Sequence, residues 1–200
     1  MMGLQITCCW LLVAGYWLPE TSCQKPETTI VGKENTKTLY ITRHAKSDWD
    51  DPSLADFDRP LKSRGEKDAS VIGKILHSKD VHPDLIISSP AKRAISTAHI
   101  LAGEIKYPIE KIVTNEAIYE ASISELLEII EQLDDKLSGI MLIGHNPSFT
   151  NLANYLADVR FDNIPTCGVV AIAFDVPEWK MIIKNSGKMI FFEYPKKHKE

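Results

Sequence analysis

Arg43-His44, Arg93 and Gly144-His145 are the residues of this chain best suited to chemistry on an anion. Arginine presents a planar fork of donors that matches phosphoryl oxygens two at a time. An imidazole serves as nucleophile, acid or base near neutral pH. Each of these residues follows an apolar run. Arg43-His44 closes "TLYIT", where Leu39 and Ile41 alternate with Tyr40 and Thr42 as a half-buried strand would. Gly144-His145 closes "GIMLI". Arg93 lies one turn beyond "DLIIS" and Ser89-Pro90. A single histidine at a strand end is more often structural than reactive. Two arginines and two histidines at matched strand ends resist that explanation. Beside a helix N-terminus with its free backbone N–H groups, they point to a phosphoryl ligand.

The elements that must position these groups alternate between strand and helix periods. After the first strand comes an acidic loop, "AKSDWDDPSLADFDRP", carrying Asp48, Asp50, Asp51, Asp56 and Asp58. Ser63 and Glu66 then have capping-box spacing for a helix whose buried face holds Ala69, Ile72 and Leu76. "DLIIS" is a strand. Ser89 as N-cap and Pro90 at the first helical position open a second helix. "ASISELLEIIEQLDDKL" is a third, with Leu126, Ile130, Leu133 and Leu137 on one face and Ser122 and Glu125 as its capping box. "GIMLI" is a strand, a fourth helix spans about 147–157, and "GVVAIAF" is a strand. "WKMIIKNSGKMIFFEY" reads as a hairpin around Asn185-Ser186-Gly187. This alternation implies an α/β fold: a mainly parallel sheet with helices on both faces, whose strands present their C-terminal ends along one edge.

Composition sets the outer limits. The chain has 200 residues, 44% hydrophobic and 25% charged, as expected for one globular domain. A net charge of −4 excludes a globally basic nucleic-acid surface. Of the four cysteines only Cys167 lies in the expected folded body, which excludes a disulfide scaffold or a cysteine-based zinc site there. The run "CCWLLVAGYWL" over residues 8–18 is too short for a stable membrane span and has the length of a signal-peptide core, although no Lys or Arg precedes it. Residues 1–37 are therefore expected to be an N-terminal apolar segment, a candidate signal peptide, followed by a polar linker. Residues 38–200 form the domain.

The motifs carry a resemblance. "TRHAKS", "SSPAKRAISTA" and "IGHNP", with "DRPLKSRGEKDA" and "AIYEAS" between them in order, resemble the histidine phosphatase superfamily, and within it the small SixA-type phosphohistidine phosphatases. Ala45 replaces the signature's usual glycine. The resemblance implies a phosphoglycerate-mutase-like fold, a three-layer α/β/α sandwich. It implies a phosphatase without cofactor or metal in which His44 is the nucleophile, and Arg43, Arg93 and His145 hold the phosphoryl oxygens. Glu120 is the general acid at an approximately matched position, its other reading being a cap or surface residue before the third helix. Arg59, Ser89 and Asn146 are the expected substrate contacts, with an ion pair to the nearby aspartates as the other reading of Arg59. The partner is a phosphorylated protein or a small phosphate ester. The acidic loop reads first as a solvated face; if it borders the pocket, it disfavours small, highly charged substrates. A phosphoglycerate-mutase-type phosphotransferase and a non-catalytic phosphate-binding module are the alternatives. The family favours the cytoplasm, with export as the alternative if residues 1–23 act as a signal. Substrate identity and oligomeric state are left open.

Overall fold

The computed structural model describes residues 12–13, 16–17 and 36–198. The chain divides into two units, Met1–Val31 and Gly32–Glu200. In the first, Leu12–Val13 pairs antiparallel with Tyr16–Trp17. The remainder of the apolar segment and linker expected over residues 1–37 lies outside the described residues, except Thr36 and Lys37. These two already belong to the first strand of the second unit, and the Lys37 ammonium donates to the Leu137 carbonyl at 3.0 Å.

The second unit is built on a six-stranded sheet. Its elements, in chain order, are β1 (Thr36–Arg43), α1 (Ser63–Ser78), β2 (Leu85–Ser88), α2 (Lys92–Glu104), β3 (Val113–Thr114), α3 (Ile123–Glu131), β4 (Gly139–Gly144), α4 (Ser148–Leu156), β5 (Val169–Asp175) and β6 (Lys188–Glu193). The strand order is β3-β2-β4-β1-β5-β6. The first four strands are mutually parallel; β5 and β6 are antiparallel to their neighbours. All six residues of β4 are buried, as expected of a central strand covered on both faces.

Alternation along the central strands sends side chains to two cores. Ile140, Leu142, Leu39 and Ile41 pack with Leu126 and Ile130 of α3 and Phe149 and Leu152 of α4. Met141 and Ile143 pack with Ala69, Ile72 and Leu76 of α1 and Ala94, Ala98 and Leu101 of α2. The result is the expected three-layer α/β/α sandwich with a mainly parallel sheet.

Local boundaries differ where tertiary bonds override the sequence signal. Lys62, not Ser63, caps α1, because its amide is tied to the Lys46 carbonyl and its backbone is held extended. Ser89 does not cap α2. Its amide prolongs the sheet ladder by bonding the Ile143 carbonyl at 2.9 Å, so the helix begins only at Lys92. The Ser122–Glu125 capping box of α3 is present. That helix stops at Glu131 rather than near Leu137, where the Asp134 side chain captures the Lys136 amide in a local turn. The hairpin expected over 179–194 is absent. Trp179 is fully buried, donates to the Leu137 carbonyl at 3.0 Å, and turns its segment into a single 3₁₀ turn. The antiparallel partner of β6 is therefore β5.

Candidate active site

Backbone bonds continue past three strand ends and bring the chemistry together. Arg43 pairs with Gly144 in register, and Ser88 pairs with Ile143. Beyond the ladder, the His44 amide donates to the Gly144 carbonyl at 3.0 Å. The side chains that follow β1 and β4, with Arg93 from the start of α2, line one cleft of about 660 Å³. Arg43, His44, Arg59, Arg93, Glu120, His145 and Asn146 all border it. Ser89 is the exception among the expected residues: it is fully buried behind His145, and its hydroxyl is 2.8 Å from His145 Nε2. It supports a histidine instead of lining the cleft.

The histidine tautomers follow from their neighbours. Arg93 Nε lies 3.3 Å from His44 Nε2. An arginine nitrogen only donates, so Nε2 accepts and carries the lone pair. The ring proton is on Nδ1, which is 2.7 Å from the Ala45 carbonyl. Burial, the largest cause, with the charges of His145, Arg93 and Arg43, lowers the His44 pKa to about 3 against the opposing pull of that carbonyl. His145 follows the same logic. Its Nδ1 is 3.3 Å from Arg93 Nη2 and must accept, so Nε2–H donates to Ser89. Burial first, then Arg93 and Arg43, lower His145 to about 4. Two neutral imidazoles, ring centres 5.1 Å apart, thus sit among guanidinium groups.

Arg43 Nη1 donates to the Ile164 carbonyl at 2.7 Å and to Asn163 Oδ1 at 3.3 Å. Asn146 donates its amide to the same Asn163 and Ile164 oxygens. Arg59 ion-pairs with Asp56 and lies over the Trp49 ring, 3.3 Å from its centre. The ion-pair reading of Arg59 is the one seen, and the residue also borders the cleft. Glu120 is exposed, with a φ of 57° that a non-glycine residue adopts at some cost. Ala45 is fully buried, and its amide donates to Thr97 Oγ1 at 3.0 Å, so its methyl joins the core without disturbing a charged group. Among the described residues, no group of three or more His, Cys, Asp or Glu is placed to hold a metal ion.

Residue typing alone does not single out Trp49, Asp56 and Tyr119, which also line the cleft. Tyr119 stands edge-on to His145 at 5.5 Å, and its hydroxyl is 3.0 Å from Asp56 Oδ2. The available signal for Tyr119 is its place beside Glu120 in "AIYEAS".

Residues 39–139 match the family model of the histidine phosphatase superfamily (branch 1), and the chain belongs to that superfamily. An uncharacterized chloroplastic protein of Arabidopsis thaliana is 30% identical over 170 residues, covering 81% of this chain and 75% of its own. Among solved structures, a protein assigned as phosphohistidine phosphatase SixA from Agrobacterium tumefaciens aligns with a TM-score of 0.66 at 26% identity, covering 80% of this chain and 98% of that one. The protein histidine phosphatase SixA complexed with tungstate aligns with a TM-score of 0.70 at 18% identity, over 81% and 99% of the two chains, a likeness of fold. Family, fold and the SixA-like neighbours support a phosphatase of the phosphoglycerate-mutase-like type. Among the described residues, no helix is long and apolar enough to cross a membrane.

Proposed function

We propose that residues 38–200 form a phosphatase that works through a phosphohistidine on His44 without a metal, and that its substrate is a phosphoryl group carried on a protein, phosphohistidine foremost. The observation that carries this reading is the state of His44: Nδ1–H is committed to the Ala45 carbonyl, so Nε2, 3.3 Å from Arg93 Nε, carries the lone pair. A nucleophilic imidazole needs that arrangement.

In the first step the His44 Nε2 lone pair attacks phosphorus in line and forms the N–P bond. The bond from phosphorus to the leaving atom breaks, and its electron pair departs with the leaving group. Positive charge developing on the ring is shared with the Ala45 carbonyl through Nδ1–H. Arg43, Arg93 and His145 hold the equatorial oxygens. Burial and the guanidiniums keep His145 neutral; an anion beside it raises its pKa, and as Arg93 Nη2 turns to the anion, Nδ1 takes a proton from solvent and changes from acceptor to donor. Glu120 gives a proton to the leaving atom. Its left-handed backbone at the cleft mouth is the kind of local cost that persists at working residues. In the second step water attacks phosphorus, Glu120 takes its proton, the N–P bond breaks, and neutral His44 returns. Asn146 holds the 163–164 segment that anchors Arg43, and Ser89 holds His145. Exposed Glu120 and Trp49 border the cleft, where an imidazole or another group on a protein surface would enter.

The test is an assay of phosphohistidine-bearing protein, other phosphoproteins and small phosphate esters, with His44→Ala as control. The expected outcome is turnover by the wild type, favouring the protein-borne group, and none by a folded His44→Ala protein. Retained turnover in that variant removes His44 as nucleophile. A phosphoenzyme burst without turnover makes the chain a binding module, and phosphoryl return to a sugar acid makes it a mutase.

A further inference from the structure

Asp56 lies in the acidic loop between β1 and α1. Its carboxylate bridges more partners than any other acid bordering the cleft. Oδ2 accepts from Arg93 Nη2 at 2.7 Å and from the Tyr119 hydroxyl at 3.0 Å. Oδ1 accepts from Arg59 Nη2, and the Asp56 backbone carbonyl accepts from Arg93 Nη1. The two arginine side chains are each only 7% exposed, whereas Asp56 is 48% exposed. A half-solvated carboxylate therefore neutralises two buried cations.

The edges of the Arg93 guanidinium decide what this contact does. Nε lies 3.3 Å from His44 Nε2, and Nη2 lies 3.3 Å from His145 Nδ1. The Nε–Nη2 edge thus faces the two histidines. The Nη1–Nη2 edge faces Asp56. A planar guanidinium serves two partners on two edges at once. Asp56 keeps to the outer edge; the inner edge donates to the two histidines, and a phosphoryl group between them would take over those donors. A carboxylate on the inner edge would compete with substrate; one on the outer edge holds the fork for it.

Resting on the phosphatase reading above, we propose that Asp56 is the positioning residue of the arginine clamp. Its carboxylate and carbonyl lock the plane of Arg93 with the inner edge turned to the histidines. The same carboxylate ties Arg59 beside it and, through Tyr119, steadies the wall against which His145 packs edge-on. Arginine is rotamer-rich, and a fork held in place beforehand needs no ordering as charge develops on the oxygens. The contribution belongs to the transition state more than to the bound ground state.

Asp56→Ala and Asp56→Asn test this, with wild type alongside. The readouts are kcat/KM on nitrophenyl phosphate, inhibition constants for vanadate and inorganic phosphate, and Tm. Vanadate reports the pentacoordinate geometry and phosphate the ground state. The expected result for Asp56→Ala is a loss on the order of 10²-fold in kcat/KM, the scale of a displaced catalytic group. Vanadate inhibition should weaken by a similar factor and phosphate inhibition by much less. Asp56→Asn keeps one accepting oxygen at the same reach and should fall between, and it carries the test if the alanine variant does not fold. Folded variants inhibited by vanadate as strongly as wild type, or more strongly, overturn the proposal, since the carboxylate is then idle or a competitor. A lowered Tm with unchanged kcat/KM also overturns it, leaving a loop tether. Wild type that neither turns over nor binds vanadate fails differently: it overturns the phosphatase reading itself.

Discussion

Acid should weaken this fold through its two neutral histidines while leaving them neutral in the folded cleft. His44 titrates at about 3 and His145 at about 4, both held down mainly by burial. In the unfolded chain each returns to about 6.5. As pH falls from 7 to 5, the unfolded histidines gain protons that the folded ones refuse. Stability is therefore intact above about 6.5 and declines through the window down to the folded values. At pH 5 each histidine costs about 1.36 kcal/mol for each of roughly 1.5 pH units, or about 2 kcal/mol, and the pair about 4 kcal/mol. Against a typical domain stability of about 5–15 kcal/mol, that is a large share. The assay is urea unfolding at pH 7 and pH 5 for wild type, His44→Asn and His145→Asn. Contributions of the remaining titratable groups cancel in the comparison between variants. Each variant should lose about 2 kcal/mol less than wild type over this interval. Identical losses in all three proteins would refute the claim that burial keeps these imidazoles neutral, and with it the unprotonated nucleophile.

Activity should survive exhaustive chelation, and vanadate should inhibit, because guanidinium groups supply the positive charge; loss on chelation with rescue by one divalent ion would reject the mechanism. Arg93→Ala should slow every substrate by roughly 10²–10³-fold in kcat/KM, the scale for removing one preorganised donor. Glu120→Gln should slow alkyl phosphates far more than nitrophenyl phosphate, whose leaving group departs as an anion; equal slowing of both would remove Glu120 as the acid. Gly65→Ala should destabilise the protein by about 1–3 kcal/mol in a denaturation assay, since a Cβ there would stand 2.2 Å from the Lys46 carbonyl in the strap just after the nucleophile. Gly103→Ala, with nothing within 4 Å of the added carbon, is the matched control and should not destabilise.

What could be read in the sequence was whatever depends on short range or on strand period. The apolar runs before Arg43, Ser89 and Gly144 mark the central strands, and the parallel alternation places their ends on one edge. The Ser122–Glu125 box is local and therefore visible. Bonds across the sheet are not. Ser89 looks like a helix cap until the Ile143 carbonyl takes its amide. The 179–194 segment looks like a hairpin until Trp179 is seen filling the core beside α3. Asp56 was legible only as one of five aspartates in a loop. Its work depends on three donors from the same loop, α2 and the segment before α3, and no spacing rule joins those.

The cations of this cleft serve two ends at once. Arg43 and Arg93 are the groups proposed to meet a phosphoryl dianion, and their charges also help hold His44 and His145 unprotonated. An exposed histidine at pH 6 would be mostly protonated and without a lone pair to offer. Burial is the largest cause of both shifts, and the guanidiniums push in the same direction. In the mechanism proposed above, a bound anion would offset their charge and favour a proton on His145, against the burial that is the largest cause of its lowered pKa. On that reading protonation of His145 would follow the anion, its Nδ1 turning from acceptor of Arg93 Nη2 to donor. A lone pair for phosphorus and a donor for its oxygens are different demands on two imidazoles whose ring partners also differ, the Ala45 carbonyl for His44 and the Ser89 hydroxyl for His145. On that proposal the arriving phosphoryl group would separate them, His44 spending its lone pair on phosphorus while His145 gains a proton toward oxygen.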